Sequence, residues 1–244
     1  MVSAIPPVAL SDIQINHVTY ALTDCTSTSR GKLTARIVSV ALEDATPVML
    51  STHIYWNIGS FLSSNVLDNT LQLPTSNRVI AVDDINIPTG EILKASQTSL
   101  DFTTAKKVRE GALTNSCGGT CVGIDNAFVF DNHSTSCLTQ QTAKKPAQLI
   151  WSSPDTGLTM HMRTNTPGTQ IFSCATQDGS TVSHSWQGPT PGVAPKIEQY
   201  GCLVIEPQGW IDGINHPEWN QLDDQIFSAT TGVALNWAEY DFTV

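Results

Sequence analysis

An all-β sandwich is the fold class this sequence predicts, and three observations lead to it. Short runs rich in Val, Ile, Thr, Tyr and Trp recur along the 244 residues, each closed by Gly, Pro, Asn or Asp. Helical periodicity is scarce. No long helix separates the runs, which favours an antiparallel arrangement over a parallel α/β sheet.

The elements follow in chain order. Lys32 to Ala41 places Leu33, Ala35 and Ile37 on one face and Thr34 and Arg36 on the other, the period of a half-buried strand. Pro47 to Trp56, Val66 to Leu73 and Val79 to Val82 read as further strands. So do Leu149 to Trp151, Leu158 to Arg163, Gln170 to Cys174, Gly201 to Ile205 and Val233 to Phe242. Between them lie turn clusters: Pro88-Thr89-Gly90, Asp155-Thr156-Gly157, Thr166-Pro167-Gly168 and Asp178-Gly179. Thr104 to Leu113 is the best helix candidate, and it is a short one. The Pro/Gly-rich stretch Gln187 to Pro195 is a loop and not a linker, so residues 1–244 are expected to form a single domain.

Composition narrows the function. Hydrophobic residues make up 40% and charged residues 14%, enough for a sizeable core. The formal net charge of -10 disfavours nucleic acid and anionic membrane surfaces as partners but not a neutral sugar. No apolar run reaches the roughly 20 residues of a membrane span. The opening MVSAIPPVALSD lacks a basic n-region and reads as no signal peptide. Ser and Thr supply 51 residues against 7 Lys, a bias toward a secreted protein. The six cysteines are too scattered for a disulfide scaffold. Cys117 and Cys121, spaced by Gly118-Gly119-Thr120, are nevertheless candidates for one disulfide, and the sequon at Asn132 is a candidate glycan site. Free thiols and an unmodified Asn are the equal alternative. The nucleophile-elbow, phosphate-loop and zinc-protease motifs are missing, and no His or Cys spacing suggests a metal site.

Three segments could carry chemistry. His53 lies in STHIYWNIG, Asp125 opens GIDNAFVF, and Glu206 ends the apolar run of GCLVIEPQGWID. A carboxylate there is costly to bury without a partner, and a buried carboxylate is also what a general base needs. Taken singly, each residue has a structural alternative: a core or edge histidine, a turn aspartate, and a solvent-facing glutamate at a strand end.

Together with three more segments these match one family in order. STHIYWNIG resembles the NH-x-Y-F/W-N-L-x-G segment of the aldose 1-epimerases, also called galactose mutarotases. The stretch Leu71 to Ile92 resembles the V-D-D-x-x-I-P-T-G-E-I region that follows. GIDNAFVF resembles G-Y-D-H/N-x-F-x-L, TNTPGTQ resembles T-x-x-P-G-x-Q, and CLVIEPQGWIDGINHPEW resembles the segment containing L-E-x-Q. LNWAEYDFTV is similar to the closing strand.

The resemblance implies an antiparallel β-supersandwich of the galactose mutarotase type. It also implies an isomerase that interconverts the α and β anomers of a free aldohexose such as glucose or galactose, without cofactor or metal. Glu206 matches the general base, His53 the general acid and Asp125 a substrate-hydroxyl contact. Gln208 falls in the same motif as Glu206 and is assigned to substrate binding. Trp56, Phe128 and Trp210 are candidates for stacking on a hexose face, with structural packing the competing role for each. Ile124 stands where Tyr is common in the family, Asn126 where His is frequent and Trp210 where Phe is usual. A hexose 6-phosphate epimerase and a non-catalytic carbohydrate-binding member are the alternatives; the few, scattered arginines weigh against the first. The match begins near Val18, in the middle of the family's usual domain. The expectation is therefore a truncated form with weak turnover and an exposed apolar face that invites dimerisation or pairing with an N-terminal segment.

Overall fold

A computed structural model describes residues 14–25, 29–114, 116–131 and 146–244. The candidate sequon at Asn132 lies outside the described residues.

Two antiparallel sheets face each other. The first contains β1 (Gln14–Thr23), β2 (Gly31–Ala41), β5 (Thr70–Gln72), β8 (Lys106–Lys107), β10 (Leu149–Ser152), β11 (Thr159–Thr164) and β15 (Ala234–Thr243), in the order β1-β2-β15-β11-β10-β5-β8. The second contains β4 (Ile54–Trp56), β6 (Arg78–Val82), β7 (Pro88–Lys94), β9 (Asp125–Val129), β12 (Gly168–Phe172) and β13 (Leu203–Gln208), in the order β4-β13-β12-β9-β6-β7. A small sheet pairs β3 (Thr46–Pro47) with β14 (Ile226–Phe227). The α-helix α1 (Arg109–Ala112) is one turn long, within the stretch expected to be helical.

Alternation builds the core. Ala238 and Tyr240 of β15, Met160 and Met162 of β11 and Trp151 of β10 meet Phe128 of β9, Ile171 of β12 and Leu203 and Ile205 of β13. All are 1% exposed or less, so the region between the sheets is dry and apolar. The other face of the second sheet is left for Asp125, Gln170 and Glu206.

Two expectations need correction, and one strand was not anticipated. Pro47 to Trp56 is not one strand: β3 joins β14 in the small sheet, and the chain leaves it before β4 joins β13. Pro88-Thr89-Gly90 opens strand β7 and is not a turn. β7 is an edge strand, where a proline need not donate to a ladder. The N-terminal β1 begins at Gln14 and pairs along its whole length with β2.

β1 is also a sheet edge, and its Val18, Tyr20 and Leu22 are 50%, 60% and 81% exposed. They sit opposite Ile37, Ala35 and Leu33 of β2, so the apolar face of the sheet continues past the part that the second sheet covers. Among the described residues, no helix is long and apolar enough to cross a membrane.

Two disulfides close loops. Cys117 pairs with Cys121, as the short spacer suggested. Gly118 and Gly119 adopt φ of +81° and +53°. A Cβ on either would fall 2.4 and 2.5 Å from the carbonyl oxygens of Asp83 and Asp84, so glycine is what lets this loop lie on the β6–β7 turn. Cys174 pairs with Cys202, a bond the cysteine spacing did not reveal. It continues the ladder in which Phe172 faces Val204, and so ties the end of β12 to the start of β13. Both sulfurs belong to buried residues. Replacing both cysteines by Ser is expected to cost about 2–4 kcal/mol. Thermal unfolding followed by circular dichroism should show a midpoint lowered by several degrees; an unchanged midpoint would mean that the bond does not hold these strands.

Candidate active site

Register alone brings the polar groups together. On β12, Gln170 faces Ala127 of β9 on one side and Glu206 of β13 on the other. Directly opposed residues share a face, so Gln170 and Glu206 point away from the core. Asp125 lies two residues before Ala127 and therefore shares that face. Ile54 faces Ile205, which brings His53, the residue before β4, beside Glu206.

The side chains complete the contact. His53 Nε2 lies 3.3 Å from Glu206 Oε1; the imidazole side chain is 53% exposed and the carboxylate side chain 15%. Gln170 Nε2 donates to Asp125 Oδ1 at 2.7 Å, which fixes that carboxylate beside the pair. Burial raises the Glu206 pKa above the usual carboxylate range; the neighbouring His53 pulls it down in part and the Asp125 charge pushes it up again. Burial likewise raises Asp125, against the Gln170 hydrogen bond and His53.

Gln208 follows Glu206 by two residues and shares its face, at 6% exposure. Trp210 packs in a small cluster with Ile80, Ala127 and Val129, on the same side of the sheet, and donates its indole N–H to the Pro167 carbonyl at 3.1 Å. Trp56 and Phe128 are elsewhere. Trp56 packs on Tyr240 and Phe242, with ring centroids 4.8 and 5.9 Å away. Phe128 is 1% exposed and meets Phe102 edge-on. Both rings lie between the sheets, so the expectation that they stack on a sugar is corrected: each belongs to the core.

Two residues given no site role from the sequence join the site. Gln170, in the TNTPGTQ segment, orients Asp125. Tyr55, two residues after His53, has its ring centroid 5.2 Å from the imidazole and is 45% exposed. It is the aromatic side chain seated beside the pair. Among the described residues, no three His, Cys, Asp or Glu side chains gather as a metal site.

A sheet face that holds a partly buried carboxylate against an imidazole defines an all-β protein equipped for proton transfer. The chain belongs to the aldose 1-epimerase family, whose model matches residues 17–226. It is 41% identical over 249 residues to a probable aldose 1-epimerase of Arthroderma benhamiae, covering 94% of this chain and 56% of that protein. Over 206 residues it is 28% identical to the aldose 1-epimerase of Escherichia coli, covering 84% of this chain and 52% of the relative. A GalM/aldose epimerase homologue from C. elegans superposes with a TM-score of 0.65 at 18% identity, over 93% of this chain and 58% of that one. The fold is thus the β-supersandwich of the galactose mutarotase type. The chain spans about half the length of the curated relatives it matches.

Proposed function

We propose that this chain carries the acid–base centre of an aldose 1-epimerase that interconverts the α and β anomers of a free aldohexose. The contact between His53 and Glu206 carries the reading. The Glu206 carboxylate takes the proton of the C1 hydroxyl while the His53 imidazolium donates one to the ring oxygen. The C1–O5 bond breaks and C1 becomes a carbonyl. After rotation about C1–C2 the two groups reverse roles: the imidazole takes the O5 proton as O5 attacks the other face of C1, and the Glu206 carboxyl returns a proton to the C1 oxygen. Protons and bonds balance over the cycle. Each positioned group contributes typically about 10²–10⁴-fold. Asp125, held by Gln170, is placed to bind a sugar hydroxyl, and Tyr55 offers a face to the ring.

The hexose 6-phosphate alternative needs basic groups to hold a phosphate. Arg78, Arg109 and Arg163 are each engaged by a carboxylate, of Asp131, Asp68 and Glu239 respectively. Exchange spectroscopy between the α and β anomer signals is the test. Faster exchange is expected for galactose or glucose, with galactose 6-phosphate no better a substrate; a marked preference for the phosphate would overturn this reading.

A pH prediction follows from the electrostatics. The base works only when ionised, so activity should fall on the acid side with a midpoint above the ordinary glutamate value of 4.5. Asp125→Asn removes a negative neighbour that raises Glu206, so the acid limb should move to lower pH, alongside a raised KM. An acid limb that stays in place would mean that Asp125 and Glu206 do not sense each other.

A further inference from the structure

Asp125 is held through its backbone as well as its carboxylate. The ladder between β6 and β9 pairs Arg78 with Val129 and Val79 with Phe128, and it stops short of Asp125. The Asp125 N–H instead donates to Oδ1 of Asn126 at 3.2 Å. Asn126 lies opposite Ile171, on the face turned to the core, and is 3% exposed. It is therefore turned away from the face that carries Glu206. Its Nδ2 donates to the Ser116 carbonyl at 2.8 Å. One amide side chain thus ties the Asp125 backbone to the loop that the Cys117–Cys121 bond closes. That loop is itself anchored. The Thr114 carbonyl accepts from the N–H groups of Ser116 and Gly123, at 3.0 and 3.1 Å. The Ser116 hydroxyl meets that of Ser99 at 2.8 Å. Cys117 is buried, and Gly118 and Gly119 lie against the β6–β7 turn. After the loop, the Ile124 N–H donates to the Ser173 hydroxyl at 2.9 Å, and the Ser173 N–H donates to the Ile124 carbonyl at 2.8 Å. Asp125 sits between this exchange and the Asn126 bridge.

We propose that Asn126 is a positioning residue for the epimerase reaction: it sets Asp125, and with it the grip on a sugar hydroxyl, against the disulfide-closed loop. The inference rests on the reading above for the role of Asp125. An amide suits the task because it offers a donor and an acceptor at once. A hydrocarbon of the same shape would take these partners from the Asp125 N–H and the Ser116 carbonyl. Glu206 and His53 would keep their contact, and Gln170 would still hold the Asp125 carboxylate. The loss should therefore fall on substrate binding and not on proton transfer.

Asn126→Leu keeps the size of the side chain and removes both polar atoms. Galactose KM and kcat from anomer exchange, and galactose Kd from NMR titration, test the proposal on the full chain, with folding checked by circular dichroism. KM and Kd should rise about three- to tenfold, the effect of one misplaced hydrogen bond. The kcat should stay within about twofold, as it does when uniform binding is lost. In the Asp125→Asn background, Asn126→Leu should change KM by less than about twofold, because the carboxylate it positions is gone. Cys117→Ser/Cys121→Ser opens the loop and leaves Asn126 in place. It should raise KM and Kd in the same direction, and it carries the test if Asn126→Leu does not fold. Unchanged KM and Kd in folded Asn126→Leu, a fall in kcat instead, a full-size effect in the Asp125→Asn background, or wild-type binding by the loop-opened variant would each overturn the proposal. A wild-type chain that binds galactose without turning it over would contradict the acid–base reading, and Kd would still decide this one. No galactose binding by the wild-type chain would overturn both.

Discussion

Glu206→Gln should remove nearly all mutarotation while the protein stays folded. The amide keeps the size of the side chain and an oxygen that can face His53, but it cannot accept the proton of the anomeric hydroxyl. The expected loss is about 10²–10⁴-fold, the usual contribution of one positioned base. The fold should tolerate the change, because the substitution takes a charge out of a partly buried place where Asp125 already opposes it. Initial rates of anomer exchange, with the thermal midpoint measured alongside, check both halves. A Glu206→Gln variant that keeps more than about a tenth of the wild-type rate would show that the base lies elsewhere.

His53→Asn is the second large effect. Asparagine can hydrogen-bond to a ring oxygen but cannot hand over a proton near neutral pH, whereas histidine as a residue type titrates in that range. A drop of similar size, about 10²–10⁴-fold, is expected. A purely structural histidine would not also move the pH profile. The His53 charge lowers the Glu206 pKa, so removing it should raise that pKa further. The acid limb of the residual kcat/KM should shift to higher pH, opposite to the shift expected for Asp125→Asn. If both variants move the limb the same way, the electrostatic description of the pair is wrong.

Much of this arrangement was legible in the sequence, for identifiable reasons. The alternation of β2 and β15 marks their buried faces residue by residue, because a strand repeats every two residues. Glu206 stands out because it ends the apolar run Leu203-Val204-Ile205. The misplacement of Trp56 and Phe128 has an equally simple cause. Each lies three residues from a site group, His53 and Asp125, and an odd offset along an extended chain points to the opposite face. The cross-strand bond between Cys174 and Cys202 had no signal in spacing, since 28 residues separate them and only the β12–β13 register brings them together. Gln170 was similarly silent: its role depends on lying between Asp125 and Glu206 in the sheet, which no single motif states.

The most direct test of the acid–base assignment is polarimetry of freshly dissolved α-D-galactose and α-D-glucose with the purified chain. The account predicts that optical rotation approaches its equilibrium value faster than the spontaneous rate, in proportion to protein concentration, and that Glu206→Gln returns the rate to the spontaneous one. A wild-type chain, correctly folded, that leaves both sugars at the spontaneous rate, or an equal acceleration by the Glu206→Gln variant, would contradict it.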